Sequence, residues 1–176
     1  MNRAIIIMAG GMGSRYGGLK QVDSFGPNNE SILDYSIFDA LKAGFNKVVI
    51  LSSPKLKEYF EKKYHKIFSG INDVSLEIVI QDPKYGLGEY FLPEKREKPW
   101  GTGQAILCCE NVIEESFITI NADDFYGYGA FKKAYETLDH IEANNINVST
   151  ISYLIENTLS ENGGVSRGVC ILEGNK

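Results

Sequence analysis

Short apolar runs alternate with amphipathic stretches along most of the chain. Four runs of five or six residues are rich in Ile, Val and Leu, which predicts buried strands; they are Arg3–Met8, Lys47–Leu51, Leu76–Gln81 and Ser116–Asn121. Between them, apolar residues recur at helical spacing. This pattern predicts helices over Ile32–Ala43, with Ser31 as N-cap and Gly44 as the stop, from Ser53-Pro54 to Gly70, and over Thr102–Val112.

The same alternation continues towards the end of the chain. We expect a helix over Phe131–Glu142, a fifth strand over Val148–Ile155 and a sixth over Val169–Leu172. Strands that alternate with helices, and that carry apolar runs instead of strict alternation, are typical of a mostly parallel sheet with helices on both faces. The sequence therefore predicts an α/β fold, in which ligands bind beyond the carboxyl ends of the strands.

Composition and charge narrow the class of protein. The chain has 176 residues, of which 43% are hydrophobic and 23% charged, as in one globular domain. Its net charge of -5 argues against a basic nucleic-acid-binding surface, and no apolar run reaches membrane length. The three cysteines form neither a disulfide framework nor a metal-ligand spacing. We therefore expect a cytoplasmic protein without nucleic-acid or membrane partners.

The stretch MAGGMGSRYGGLKQ, residues Met8 to Gln21, follows the first predicted strand directly. A dinucleotide fingerprint would need glycine where Tyr16 stands, and a P-loop would need Ser or Thr after Lys20. Backbone amides around Gly10, Gly11 and Gly13 can nevertheless surround an anion. Arg15 adds a bidentate fork and Lys20 a point charge, both suited to phosphate. The alternative is a glycine-rich turn with solvated basic side chains.

Asp123 and Asp124 come shortly after the fourth predicted strand, at its carboxyl end. Neighbouring carboxylates there suit Mg²⁺, which takes one or two carboxylates and completes its shell with phosphate and water. A helix N-cap with a solvated neighbour explains the same spacing. The position after a glycine loop and at a strand's carboxyl end favours the metal site.

The glycine loop resembles the signature loop of the sugar-phosphate nucleotidyltransferases, a GGxGxR stretch followed by a lysine. Three further blocks are similar to segments of that family: ESILDYSIFDA (30–40), KPWGTGQAIL (98–107) and ITINADDFYG (118–127). The gap between Arg15 and Lys20 is shorter than in most sugar-phosphate members and resembles the compact loop of cytidylyl-transfer relatives. Beyond Gly127 the similarity is confined to SRGVC near the end.

The resemblance implies a nucleotide-diphospho-sugar transferase-like fold, a Rossmann-like three-layer sandwich with a mostly parallel, mixed sheet. It also implies roles for individual residues. Arg15 and Lys20 would be catalytic; Ala9, Gly10, Gly11, Gly13, Gln81, Gly101 and Thr102 would bind the nucleotide; Asp123, with Asp124 as the alternative, would bind Mg²⁺. Tyr126-Gly127 would border the sugar pocket.

The reaction implied is transfer of a nucleoside monophosphate from an NTP to a sugar 1-phosphate, giving an NDP-sugar and pyrophosphate, as in NDP-sugar biosynthesis. Two alternatives stay open. One is cytidylyl or guanylyl transfer to another phosphorylated acceptor, such as choline phosphate or a molybdenum cofactor; the other is a non-catalytic nucleotide-sensing module of the same fold. We expect one nucleotidyltransferase domain over residues 1–176, truncated at its C-terminal side and able to form a homo-oligomer.

Overall fold

A computed structural model describes residues 2–10, 24–96, 98–140, 148–161, 163–164, 166 and 168–171. The chain divides into two compact units, Met1–His140 and Ile141–Lys176. The first unit contains the following elements in chain order: β1 (Arg3–Ala9), α1 (Ile32–Ala43), β2 (Lys47–Ser52), α2 (Lys57–Phe68), β3 (Ser75–Ile80), α3 (Thr102–Leu107), β4 (Ser116–Asn121) and α4 (Tyr128–Leu138).

The described strands form one sheet of four strands in the order β3-β2-β1-β4, and every pairing in it is parallel. In register, Met8 of β1 lies opposite Leu51 of β2 on one side and Asn121 of β4 on the other. The chain first adds strands on one side of β1 and then returns to its other side. A parallel sheet built this way has its topological switch point between β1 and β4.

Both faces of the sheet are covered. On one face, Ile6, Val49 and Leu51 pack with Ala105 and Cys109, which belong to α3 and the turn after it. The strand residues that point the other way are fully buried as well; they are Ile5, Ile7, Val48 and Ile50. Helix α1 packs against α4. The result is the helix–sheet–helix layering expected of the α/β fold.

The predicted bounds of α1 are confirmed, and its end groups explain them. The Asp34 carboxylate accepts a hydrogen bond from the Ser31 backbone N–H at 2.7 Å, as in a capping box. At the other end Gly44 adopts a φ of 111°, a left-handed conformation that favours glycine, and its N–H bonds back to the last turn.

The bounds of the other three helices differ from the prediction. Helix α2 begins at Lys57 because the Leu56 N–H bonds to the Ser53 carbonyl and closes a separate turn first. Helix α3 begins at Thr102, as predicted, with Gly101 as its N-cap, but it ends at Leu107, after which the chain continues in turns. Helix α4 begins at Tyr128, directly after Gly127 at a φ of 76°, and ends at Leu138.

The second unit differs most from the sequence expectation. The predicted fifth strand, Val148–Ile155, is wrong: these residues have no ladder partner among the residues described, and a short 3-10 helix follows at Ile155–Thr158. A strand needs such a partner for its backbone N–H and C=O groups, whatever its side chains favour. Residues 169–171 of the predicted sixth strand are likewise not in a strand.

Among the helices of the described ranges, none combines the length and the apolar character that crossing a membrane requires.

Candidate functional site

The parallel pairing brings three of the sequence-predicted positions to one edge of the sheet. Gly10 follows β1, Gln81 follows β3 and Asp123 comes shortly after β4. These are the carboxyl ends of their strands, where ligands bind in open α/β sheets. Residues from three separate parts of the sequence therefore lie along the edge where a ligand is expected, with Gln81 and Asp123 after the two outer strands.

The junction of β1 and β4 is extended by one further bond. The Ala122 N–H donates to the Met8 carbonyl oxygen at 3.2 Å, and both Ala9 and Ala122 are buried. Asp123 is the next residue and is exposed. The Asp123 carboxylate therefore lies where the backbone hydrogen bonds between β1 and β4 end, at the topological switch point.

The two aspartates have different surroundings. Asp124 Oδ2 accepts a hydrogen bond from Asn121 Nδ2 at 2.8 Å and one from the Tyr126 hydroxyl at 3.4 Å. The same hydroxyl accepts from the Asn121 backbone N–H at 3.0 Å. By contrast, no described residue bonds to the Asp123 carboxylate. Asp124 thus organises the turn, whereas the Asp123 carboxylate is unpaired among the described residues.

The Gln81 side chain lies next to Gly10, where the glycine loop begins. The side chain is buried, and a Cβ built onto Gly10 would lie 3.3 Å from its Oε1 atom. Its Nε2 atom donates to Gln104 Oε1 at 2.9 Å and to the Trp100 carbonyl oxygen at 3.3 Å. Glycine at position 10 therefore allows the backbone to pass close to the Gln81 amide.

Gln104, which sequence reasoning missed, connects Gln81 to the segment after β3. Its Nε2 atom donates to the Asp82 carbonyl oxygen at 2.7 Å and to the Tyr85 carbonyl oxygen at 3.3 Å. A glutamine inside a short helix has no distinguishing spacing, so only the fold brings it to Gln81. The hydrogen bonds of Gln81 and Gln104 fix the orientation of both side-chain amides.

Gly101 and Thr102 are exposed at the start of α3. Gly101 has a φ of -69°, which any residue adopts, and nothing lies within 4 Å of a Cβ built onto it. No packing against the described residues therefore requires glycine here. Open space beside Gly101 is compatible with a ligand lying against it, as the sequence resemblance implies.

The adjacent cysteines that follow α3, Cys108 and Cys109, are packing groups. Cys109 packs in the core cluster with Ile6 and Val49, and burial raises the pKa of its thiol to about 11. Burial also raises the pKa of the Cys108 thiol. Both thiols are thus neutral near pH 7, as packing groups are.

Four of the predicted site residues, Gly11, Gly13, Arg15 and Lys20, lie outside the described residues. Their positions stay predictions from the sequence. Among the described side chains, no three His, Cys, Asp or Glu residues cluster as a metal site.

Comparisons with known proteins agree with this fold. A family model described as nucleotidyl transferase matches residues 4–168. The inositol-1-phosphate CTP transferase of T. maritima superposes with a TM-score of 0.52 at 18% identity, over 76% of this chain and 48% of that one. UDP-glucose pyrophosphorylase, solved in complex with UDP-glucose, gives 0.52 at 19% identity, over 79% and 54%. No curated protein gives a significant match.

The family model covers nearly the whole chain, so this protein belongs to the nucleotidyl transferase family. Its fold is that of the nucleotide-diphospho-sugar transferases, as the two superpositions show. The chain spans about half the length of each of these two solved proteins.

Proposed function

We propose that this protein transfers a nucleoside monophosphate from an NTP to a sugar 1-phosphate, giving an NDP-sugar and pyrophosphate. One observation carries the proposal. Gly10, at the start of the glycine loop, and the exposed carboxylate of Asp123 lie at the adjoining carboxyl ends of β1 and β4. A loop that begins at Gly10, beside a carboxylate with no hydrogen-bond partner among the described residues, suits a metal-bound nucleotide at a topological switch point.

In the proposed reaction, a phosphate oxygen of the acceptor attacks the α-phosphorus of the NTP. The bond from that phosphorus to the oxygen bridging the α- and β-phosphates breaks, and pyrophosphate leaves. A phosphate monoester is already largely dianionic at pH 7, so the step needs no general base. Rate acceleration then comes from alignment and charge stabilisation.

The chain's own residues supply those two effects. The amides of Gly11 and Gly13 and the Arg15 guanidinium hold the β- and γ-phosphates of the NTP, and Gly10 lies beside the base. Lys20 neutralises charge on the α-phosphate or on the acceptor phosphate. Ala9, which is fully buried, anchors the start of the loop to the sheet.

Mg²⁺ fits the carboxylate at the end of β4. Asp123 is exposed and without a hydrogen-bond partner among the described residues, whereas Asp124 is engaged by Asn121. Asp123 would therefore hold the ion, and nucleotide phosphates and water would complete its shell. When bound, Mg²⁺ supplies charge neutralisation at the phosphates.

Gly101, Thr102 and Gln81 are assigned to the base and ribose. The open space at Gly101 lets a planar group lie against the backbone there. Gln81 follows β3, on the far side of β2 from the metal carboxylate. In this assignment the base lies on one side of the crevice and the phosphates lie on the other.

The proposal is tested by pyrophosphate release with each NTP against a panel of phosphorylated acceptors, with and without Mg²⁺. We expect turnover with one NTP and a sugar 1-phosphate, and a loss of at least about tenfold in Arg15→Ala. Turnover only with choline phosphate or another non-sugar acceptor would show that the acceptor is not a sugar 1-phosphate. Nucleotide binding without pyrophosphate release from any pair would indicate a sensing module instead.

A further inference from the structure

The structure assigns to Gln104 the role of a positioning residue: it holds the Gln81 amide so that only its carbonyl oxygen is offered to the nucleotide base. Gln81 then recognises an N–H donor on the edge of that base. This inference rests on the proposed function, because it takes the ligand beside Gln81 to be a nucleotide. It deepens that function by stating which hydrogen-bonding group of the base is selected.

The orientation of Gln104 is fixed by two backbone carbonyls. The carbonyl oxygens of Asp82 and Tyr85 lie 2.7 and 3.3 Å from one terminal atom of the Gln104 side chain. A carbonyl oxygen only accepts, so the atom facing both must be the amide nitrogen. The Cys108 sulfur lies 3.3 Å from the same nitrogen and is a weak acceptor.

That orientation determines the orientation of Gln81. With its nitrogen turned to Asp82 and Tyr85, Gln104 presents its oxygen to Gln81 at 2.9 Å. The facing atom of Gln81 must then be a donor, its Nε2. The Trp100 carbonyl oxygen, 3.3 Å from that nitrogen, imposes the same orientation independently. Both hydrogens of the Gln81 amide are thereby used within the protein.

What remains of Gln81 for a ligand is one acceptor. Its Oε1 atom lies on the side of Gly10, close enough that a Cβ on Gly10 would be 3.3 Å away. No described residue donates to this oxygen. A free amide can rotate to match a donor or an acceptor, but this amide is fixed and selects a donor, such as a ring N–H or an exocyclic amine.

The test measures binding of the preferred NTP to the wild-type protein and to two variants of Gln104. Gln104→Leu removes the bond that holds Gln81, and Gln104→Glu keeps an acceptor for Gln81 Nε2 but loses the donor to Asp82 and Tyr85. A matched control is Glu110→Gln, which weakens only the bond from the Tyr85 hydroxyl to an exposed side chain. Melting temperatures are recorded for each.

We expect Gln104→Leu to weaken NTP binding by roughly three- to tenfold and to reduce the preference among bases. Binding of inorganic tripolyphosphate, which has no base, should stay unchanged. Gln104→Glu should retain the base preference even where its melting temperature falls. Glu110→Gln should match the wild type. Equal losses for the NTP and tripolyphosphate would show that Gln104 is merely structural, and would overturn the inference.

The donor itself is tested with an analogue of the preferred NTP that lacks the base-edge N–H, such as purine riboside triphosphate against ATP or N3-methyl-UTP against UTP. The wild type should lose affinity for the analogue, and Gln104→Leu should lose little more, so the two changes are not additive. Additive losses would overturn the inference while leaving the proposed function intact. Absence of any nucleotide binding by the wild type would overturn both.

Discussion

Asp123 and Asp124 are adjacent in sequence, but the surroundings of their side chains differ. Asp124 has hydrogen-bond partners among the described residues, and Asp123 has none there. Asp124 accepts from Asn121 and Tyr126 and so stabilises the turn after β4. Asp123 makes no such bond to any described residue. A metal ion can bind a carboxylate with unused lone pairs without first breaking a hydrogen bond.

We predict different effects for the two corresponding variants. Asp123→Asn should lower Mg²⁺-dependent turnover on the order of 100-fold, because it removes the charge that binds the ion, with little change in stability. Asp124→Asn should keep most activity and lose up to about 1 kcal/mol of unfolding free energy. Steady-state kinetics over a Mg²⁺ titration, with urea unfolding, measures both. The opposite ranking of activities would move the metal ligand to Asp124.

A second residue-scale prediction concerns Gly101. Its φ is -69°, and no atom lies within 4 Å of the position that a Cβ would occupy, so Gly101→Ala should change stability by less than about 0.5 kcal/mol. If the nucleotide lies against this residue, the methyl group should raise the KM for NTP roughly tenfold. Steady-state kinetics and urea unfolding of the same preparation measure the two effects.

Gly70→Ala serves as the matched control for Gly101→Ala. A Cβ at Gly70 would meet only the Ile67 carbonyl oxygen, at 4.0 Å, and Gly70 follows α2 at the opposite edge of the sheet. It should therefore leave the KM for NTP unchanged. An unchanged KM in Gly101→Ala as well would remove Gly101 from the nucleotide site.

Sequence reasoning found Gln81 but not its partner, for a physical reason. Gln81 directly follows an apolar run, so its place at a strand's carboxyl end could be predicted from the pattern. Gln104 lies in α3, and its importance depends on bonds to Asp82 and Tyr85 across a turn that no local pattern specifies. Contacts of this kind exist only once the chain has folded.

At the scale of elements, a partly buried polar cluster joins α1 to α2. The Asp34 carboxylate accepts from Lys63 Nζ at 2.6 Å, from the Tyr64 hydroxyl at 2.8 Å and from the Ser31 N–H at 2.7 Å. Burial by itself would raise the pKa of Asp34, but these hydrogen bonds outweigh it, and the pKa is lowered. Burial and the nearby Asp34 charge raise the pKa of the Tyr64 hydroxyl.

The lowered pKa of Asp34 gives the fold a defined response to acid. Its contribution to stability is fully present above about pH 4, the ordinary carboxyl pKa, and is lost as the pH falls through the lower folded value. Asp34→Asn should therefore cost about 1–3 kcal/mol at pH 7, and the difference from wild type should shrink below pH 4. Urea unfolding from pH 7 to pH 3 measures this.

The exposed pair of Lys57 and Glu61, 3.6 Å apart within α2, is the control for the Asp34 cluster. Glu61→Gln should change the unfolding free energy by less than about 0.5 kcal/mol at any of these pH values. A loss in Asp34→Asn that stays constant down to pH 3 would contradict a role for the ionised carboxylate.

The helices and strands are predicted most accurately where the local sequence specifies their ends. Strands β1 to β4 are rich in Ile, Val and other apolar residues and were predicted to within a residue or so, and α1, with its capping box and terminal glycine, was predicted at both ends. The start of α2 depends on one turn bond at Ser53, which composition does not reveal. Val148–Ile155 has strand-forming side chains, but propensity supplies no pairing partner.

At the scale of the whole molecule, strand order determines where a ligand can bind. Since β1 lies between β2 and β4, the strand order reverses beside β1, and a ligand crevice is expected at the carboxyl ends of β1 and β4. The amino-terminal edge lies at the other end of the same strands and carries the ion pair of Lys47 and Glu115, 3.1 Å apart. Nucleotide binding should therefore slow hydrogen exchange at the carboxyl edge of the sheet and change it little at the amino-terminal edge.

Hydrogen exchange can show this asymmetry directly. Adding NTP and Mg²⁺ should slow exchange in segments at the carboxyl edge, residues 8–10, 80–82, 101–104 and 121–124, because a ligand that binds only the folded crevice suppresses its local opening. Segments at the amino-terminal edge, 44–47 and 114–116, lead into strands of the same sheet and act as internal controls, so they should change little. Exchange measured by mass spectrometry after brief labelling distinguishes the two sets. Protection confined to the amino-terminal edge would show that strand order alone does not place the nucleotide, and the assignments of Gln81, Gly101 and Asp123 would fail together.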